Sequence, residues 1–215
     1  MCRHFPAESA RSIEALQEQQ VMATRLAERI VENLIAASVV EEVDRELYVY
    51  GFFLLITRFF FFLVTVIFGC LLGIPLESVI FYIVFILLRS YAGGVHAKTE
   101  MACTIWTTVA MGSTVTTIKM LKNLNVPILP FFVLGNICIL TFSPLESREK
   151  LLDFVEKRKY RKICYWQLFI YDGIIVVAIL LSFKTLCYSV LCGILLEAIL
   201  LSVGKYFCWV SRRHI

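Results

Sequence analysis

The chain has 215 residues, of which 59% are hydrophobic and 18% charged, with a formal net charge of +4 and a mean hydropathy of +0.78. Soluble domains run nearer 45–50% apolar and ~25% charged, and here the apolar residues arrive in blocks of about 15–21 rather than as a 3.6-residue stripe. Helices that are greasy all round need lipid or other helices on every side, which excludes a soluble globular domain and points to an all-α integral membrane protein.

The first forty residues are charged and lack an apolar h-region, so a mature, cytosolic N-terminus is expected. Residues 10–37 read as one amphipathic helix. Ile13, Leu16, Ala23, Leu26, Ile30, Leu34 and Ala37 recur at helical spacings, while Glu14, Glu18, Glu28, Arg29 and Glu32 fill the other faces. Such a helix lies on the membrane surface or packs on a partner. The following EEVDRE (Glu41–Glu46) suggests the paired glutamates and arginine of a different intramembrane protease class, but its spacing is one residue short. It reads as a solvated juxtamembrane face.

Apolar blocks follow at roughly 59–75, 76–88, 104–118, 126–142, 163–183 and 185–204. They predict about six transmembrane helices, some of them short or re-entrant, because an upright span needs about 20 residues. The stretch 47–57 (LYVYGFFLLIT) is cut off by Arg58 and reads as interfacial or re-entrant, with Arg58 snorkelling. The expected organisation is a cytosolic or interfacial helical segment, 1–46, followed by a polytopic membrane domain, 47–215.

Between the fourth and fifth blocks, Arg148–Lys162 (REKLLDFVEKRKYRK) carries seven Lys/Arg against three acids. Flanked by apolar blocks, it reads as a cytoplasmic loop rather than a nucleic-acid patch. With the N-terminus inside and six crossings, the inside loops take Arg89–Lys98, Arg148–Lys162 and Arg212-Arg213. The outside loops hold only Lys119, Lys122 and Lys184. Both termini are then cytoplasmic, as the positive-inside rule requires.

The chemistry concentrates in RSYAGGVHAKTEMAC, from Arg89 to Cys103, on the same cytoplasmic side. It contains the only histidine outside the two termini, His96, a Gly93-Gly94 pair before it, and Cys103 seven residues after it. A thiol attacks as thiolate, and a neighbouring imidazole or cation favours that form. On one straight helix, residues seven apart lie about 10 Å apart along the axis, beyond the roughly 3 Å reach of proton transfer. A catalytic pair therefore needs His96 on a bend or loop and Cys103 on the following helix. The bland alternative is a surface imidazole and an inert buried thiol. The other cysteines form no CxxC pair, and Cys187 and Cys192 are too apolar in setting for a zinc site, so neither metal nor cofactor is expected.

The segment resembles the signature of the AgrB family, membrane cysteine endopeptidases that process quorum-sensing propeptides in Gram-positive bacteria. The pattern is an Arg, a Gly-His-Ala core and a Cys seven after the His. This chain supplies Arg89, Gly94, His96-Ala97 and Cys103, with Val95 inserted before the His. FSPLESREK (Phe142–Lys150) is similar to the family's aromatic/Ala-Pro step, with Ser143 in place of Ala, and GILLEA (Gly193–Ala198) is similar to its last helix. The resemblance implies that Cys103, activated by His96, cleaves an AgrD-like propeptide through an acyl-thioester. An internal Cys or Ser of the peptide then closes a thiolactone or lactone. It is also compatible with a homodimer.

Supporting residues divide further. Arg89 either orients the site, together with Gly94, or snorkels at a helix end. Asp172 and Glu197 sit in apolar blocks, where carboxylates are costly and often functional. Asp172 reads as near the start of its helix and interfacial, and Glu197 as an interhelical partner. Lys157, Arg158, Lys159, Arg161 and Lys162 are topogenic, and they complement an acidic propeptide tail. Two other functions remain open on residues alone: a small transporter or channel lined by Asp172 and Glu197, and a membrane scaffold anchored through residues 10–37.

Overall fold

A computed structural model of the chain describes residues 7–93, 100–124, 126–145 and 153–213; side chains at 7–21, 100–103 and 207–213 lie outside the description. Seven α-helices run in order: α1 (Ala7–Ala36), α2 (Arg45–Leu72), α3 (Pro75–Ala92), α4 (Glu100–Leu124), α5 (Leu129–Phe142), α6 (Phe154–Leu180) and α7 (Lys184–Arg213). Among the described residues the only other regular element is one 3₁₀ turn, Glu42–Asp44. Among the described residues, four helices are long and apolar enough to cross a membrane: α2 (with the turn before it), α3, α6 and α7. Helix α5 is apolar but has only 14 residues. Helix α4 alternates its apolar residues with Ser and Thr, whose hydroxyls donate back to carbonyls three or four residues earlier, as Thr108 does to Thr104 and Thr114 to Ala110.

Two compact units share the chain. The first comprises residues 1–64 and 98–108. In it, α1 takes up the amphipathic segment expected from the sequence, and Ala27 and Val31, one turn apart, are fully buried. The helix closes with Ser38 at φ 56°, where Val39 N–H returns to Leu34 O and Ser38 N–H to Ile35 O. Glu32 then meets Arg45 at 3.5 Å, and Glu41, Glu42 and Asp44 are exposed, as a solvated face requires.

Helix α2 corrects one expectation. Residues 47–57 are no separate re-entrant piece but the first half of a 28-residue helix that continues through Arg58. A single arginine does not break a helix, since its intrinsic propensity is among the best.

The second unit comprises residues 65–97 and 109–215. Its core is α7, packed against α3, α5 and α6. Leu88, Ile139, Cys164, Ile194 and Leu201 lose all solvent exposure in that core. Small residues allow the crossings: a Cβ on Gly193 would meet Val84 Cγ1 at 2.8 Å, and one on Gly135 would meet Ile194 Cγ2 at 3.0 Å. The α2–α3 turn follows helix-end rules. Gly73 (φ 73°) closes the first helix, Ile74 N–H returns to Gly69 O, and Pro75 opens the next.

Two polar clusters inside this unit escape any local reading of the sequence. Glu77 at the start of α3, 6% exposed, pairs with Lys122 on α4, and Thr185 on α7 donates to the same carboxylate at 3.2 Å. Asn136 on α5 donates to Asp172 Oδ1 at 3.1 Å. Asp172 is thus well inside α6, which begins at Phe154, and not near a helix start.

Candidate functional site

The description of the signature segment begins with its arginine. Helix α3 runs to Ala92 and stops at Gly93, whose φ 78° and ψ −161° fall in a region essentially reserved for glycine. Arg89, one turn from that end, donates from Nη1 to Gly93 O at 3.1 Å. The same nitrogen lies 3.8 Å from Glu197 Oε1 on α7. Glu197 is completely buried, and among the described residues neither of its oxygens accepts a hydrogen bond. A carboxylate so placed is costly unless a cation faces it, and Arg89, 21% exposed at its side chain, supplies that cation. The interhelical partner expected for Glu197 is therefore Arg89.

A second contact fixes the turn from the other side. Past the end of α5, Leu145 N–H donates to Ala92 O at 2.9 Å, and Leu145 bridges Gly93 in a parallel sense. A Cβ at Gly93 would run into the Leu145 carbonyl oxygen, so the approach demands glycine. Ser143, 1% exposed, precedes this contact, and its carbonyl accepts from Arg161 Nε at 3.3 Å. Helix α6 adds Tyr160, edge-on to Tyr91 at 5.7 Å, and Gln167, which donates to Leu87 O at 3.1 Å. The last turn of α3 is thus gripped from α5, α6 and α7 together.

Gly94 and His96 lie outside the described residues, and Cys103 is described only as a backbone position, the fourth residue of α4. That position agrees with the expectation that Cys103 rides on the helix following the glycines.

The basic stretch is corrected in part. From Phe154 onward it is not loop but the first turns of α6, capped by Asp153, whose side chain accepts from Phe154 N–H at 2.7 Å. Lys157, half-buried, lies along the helix edge that continues into buried Cys164, Leu168, Tyr171 and Ile175; Arg161 borders that edge but is exposed, as are Arg158, Lys159 and Lys162 on the other side. The residues that sequence reasoning missed are Ser143, Leu145, Tyr160 and Gln167. The Phe142–Lys150 similarity pointed at the first two without giving them a role.

Comparison with known proteins joins these residues into one frame. The family described as accessory gene regulator B, AgrB, matches residues 23–201. An AgrB-like protein of Clostridium perfringens (strain SM101 / Type A) is 27% identical over 149 residues, covering 66% of this chain and 69% of its own. A second, AgrB-like protein 2 of Clostridium perfringens (strain 13 / Type A), is 26% identical over 145 residues, covering 61% and 67%. No solved structure matches.

Proposed function

Because the chain belongs to the AgrB family, and so to the membrane apparatus that processes quorum-sensing peptides, we propose that it is a cysteine endopeptidase and cyclase acting on an AgrD-like propeptide. In this reading His96 takes the proton of Cys103, and the thiolate attacks one peptide carbonyl of the propeptide. The amine leaves with a proton from the imidazolium, and an acyl-thioester remains. The peptide's own Cys or Ser then attacks the thioester, closes a thiolactone or lactone, and returns the proton and Cys103 to their starting state. Thioester exchange is nearly isoenergetic, so exclusion of water decides between a ring and a useless linear product.

The observation that carries this reading is the anchoring of Arg89 by Gly93 O and Glu197 immediately before the His96 segment. Proton transfer needs a histidine placed to within a fraction of an ångström, and the pair gives the chain leading to it a rigid origin. Arg89, Gly94 and Glu197 act as positioning residues, and backbone N–H groups near Gly93-Gly94 or the start of α4 serve as oxyanion donors. Lys157 and Arg161 meet an acidic propeptide tail beside the site, with Arg158, Lys159 and Lys162 adding long-range attraction. The site and both termini are assigned to the cytoplasmic side. Co-expression with the propeptide, followed by mass spectrometry for a cyclised fragment, tests the proposal; an intact propeptide would refute it.

A further inference from the structure

The five cations at the start of α6 do not share one face. At 100° per residue, Phe154, Val155, Arg158, Lys159, Lys162, Tyr165, Trp166 and Phe169 fall within an arc of about 140°. Lys157 falls instead on the line of Cys164, Leu168 and Ile175, which are buried, and Arg161 beside it reaches Ser143 O. The outward arc is exposed throughout: Phe154 is 86% exposed, Val155 73%, Trp166 58% and Phe169 70%. Among the described residues none of Arg158, Lys159 and Lys162 makes an ion pair. With Phe154 and Val155, these three line a shallow groove of about 410 Å³.

Depth along the helix says what meets that groove. From Ile163 to Leu180, α6 offers 18 residues, about 27 Å of apolar helix, close to the ~30 Å hydrocarbon thickness of a bilayer. Tyr165 and Trp166 then sit at the hydrocarbon boundary, where amphipathic rings concentrate. Arg158 and Lys159 lie one turn further out, at headgroup depth, and the stem of Lys162 reaches the same layer. The groove is apolar in its lining and cationic at its edges. Three exposed cations at the depth of the headgroups face the phosphates of acidic lipids, which are held at that depth, whereas a hydrated acidic peptide tail is not confined to it.

From this juxtaposition we infer that the outward face of the first turns of α6 is a binding surface for acidic phospholipid headgroups. They hold the helix at fixed depth, while Lys157 and Arg161 lie outside that face. The inference does not depend on the peptidase reading, since it needs only a membrane with acidic lipid.

The test uses the full chain with Trp106→Phe and Trp209→Phe, so that Trp166 is the sole tryptophan, reconstituted in phosphatidylcholine vesicles. Brominated phosphatidylglycerol and brominated phosphatidylcholine, at equal mole fraction, are compared as quenchers of Trp166. The expected result is an about five-fold preference for the acidic lipid per cation engaged, fading as salt rises from ~50 to ~500 mM. Combined Arg158→Gln, Lys159→Gln and Lys162→Gln should erase the preference, and combined Lys157→Gln and Arg161→Gln should leave it. Equal quenching by both lipids without the charge changes, an arm that needs no charge variant to fold, would overturn the inference. So would a preference that survives the outward triple change. Saturable binding of a Glu-rich peptide in purely zwitterionic vesicles, lost in the outward triple variant alone, would also overturn it by giving this face to the propeptide.

Discussion

Arg89 on α3 and Glu197 on α7 are 108 positions apart in sequence, yet a guanidinium nitrogen lies 3.8 Å from a carboxylate with no solvent exposure. The same nitrogen donates to the carbonyl of Gly93, so one side chain ties a buried charge on α7 to the chain leading into His96. Removing either partner strands the other charge, which in a buried setting costs about 3–5 kcal/mol. Glu197→Gln should therefore lower propeptide cleavage with little change in KM, because a positioning residue acts on the reacting geometry rather than on binding. Arg89→Lys should not retain activity, since the lysine nitrogen ends one bond short of Nη1, the atom that meets both the carboxylate and the carbonyl. Steady-state cleavage kinetics in liposomes, with thermal unfolding measured alongside, separate the two effects.

Gly93 and Gly173 provide a matched pair. Gly93 combines a glycine-only backbone conformation with the Leu145 carbonyl against the place of a Cβ, while nothing lies within 4 Å of a Cβ built on Gly173 in α6. Gly93→Ala is expected to cost roughly 1–3 kcal/mol from backbone strain alone and to abolish processing. Gly173→Ala should be neutral or stabilise by about 0.5–1 kcal/mol. Thermal unfolding and cleavage of both variants check the contrast.

Asp172 separates the peptidase reading from a transport reading. Its carboxylate accepts from Asn136, a bond between α5 and α6 that an amide can also accept. Asp172→Asn should keep propeptide processing within about two-fold, as expected for a retained structural hydrogen bond. A strong loss of processing with unchanged unfolding temperature would assign Asp172 a role in the reaction.

Lys157 and Arg161 make a fourth prediction. Arg161→Gln and Lys157→Gln should raise KM for the propeptide, with the effect of Lys157 shrinking at high ionic strength, as expected for a screened charge contact. Arg161→Gln should also lower kcat, because Arg161 holds the Ser143 carbonyl two residues before the Leu145–Gly93 contact. A KM effect without a kcat effect would reduce Arg161 to a substrate contact.

The helices were legible wherever hydrophobic periodicity or block length exceeded a turn or two, but in α1 the buried face is Ala27 and Val31, beside the stripe of Leu26, Ile30 and Ala37 that the spacing suggests, and Leu26 and Ala37 are exposed. Two errors came from reading charge as interruption. Arg58 looks like the end of a segment, although arginine sits comfortably in a helix. The basic run looks like loop by its charge, although Asp153 three residues before Glu156 is a capping pattern that announces a helix start. The grip on the end of α3 was not legible, because Glu197, Leu145, Tyr160 and Gln167 come from three distant segments and only packing brings them together. The same holds for Glu77, Lys122 and Thr185.

The central claim is that Cys103 is the nucleophile, and a protein retaining Cys103 as its sole cysteine, reconstituted in liposomes with its propeptide, tests it most directly. This protein is expected to cleave the propeptide, and to be trapped as an acyl-enzyme when the peptide's own ring-closing Cys or Ser is removed. No cleavage is expected once Cys103→Ala or His96→Ala is added, and alkylation of Cys103 should be slower in the His96 variant. Sustained cleavage by the Cys103→Ala protein would contradict the account.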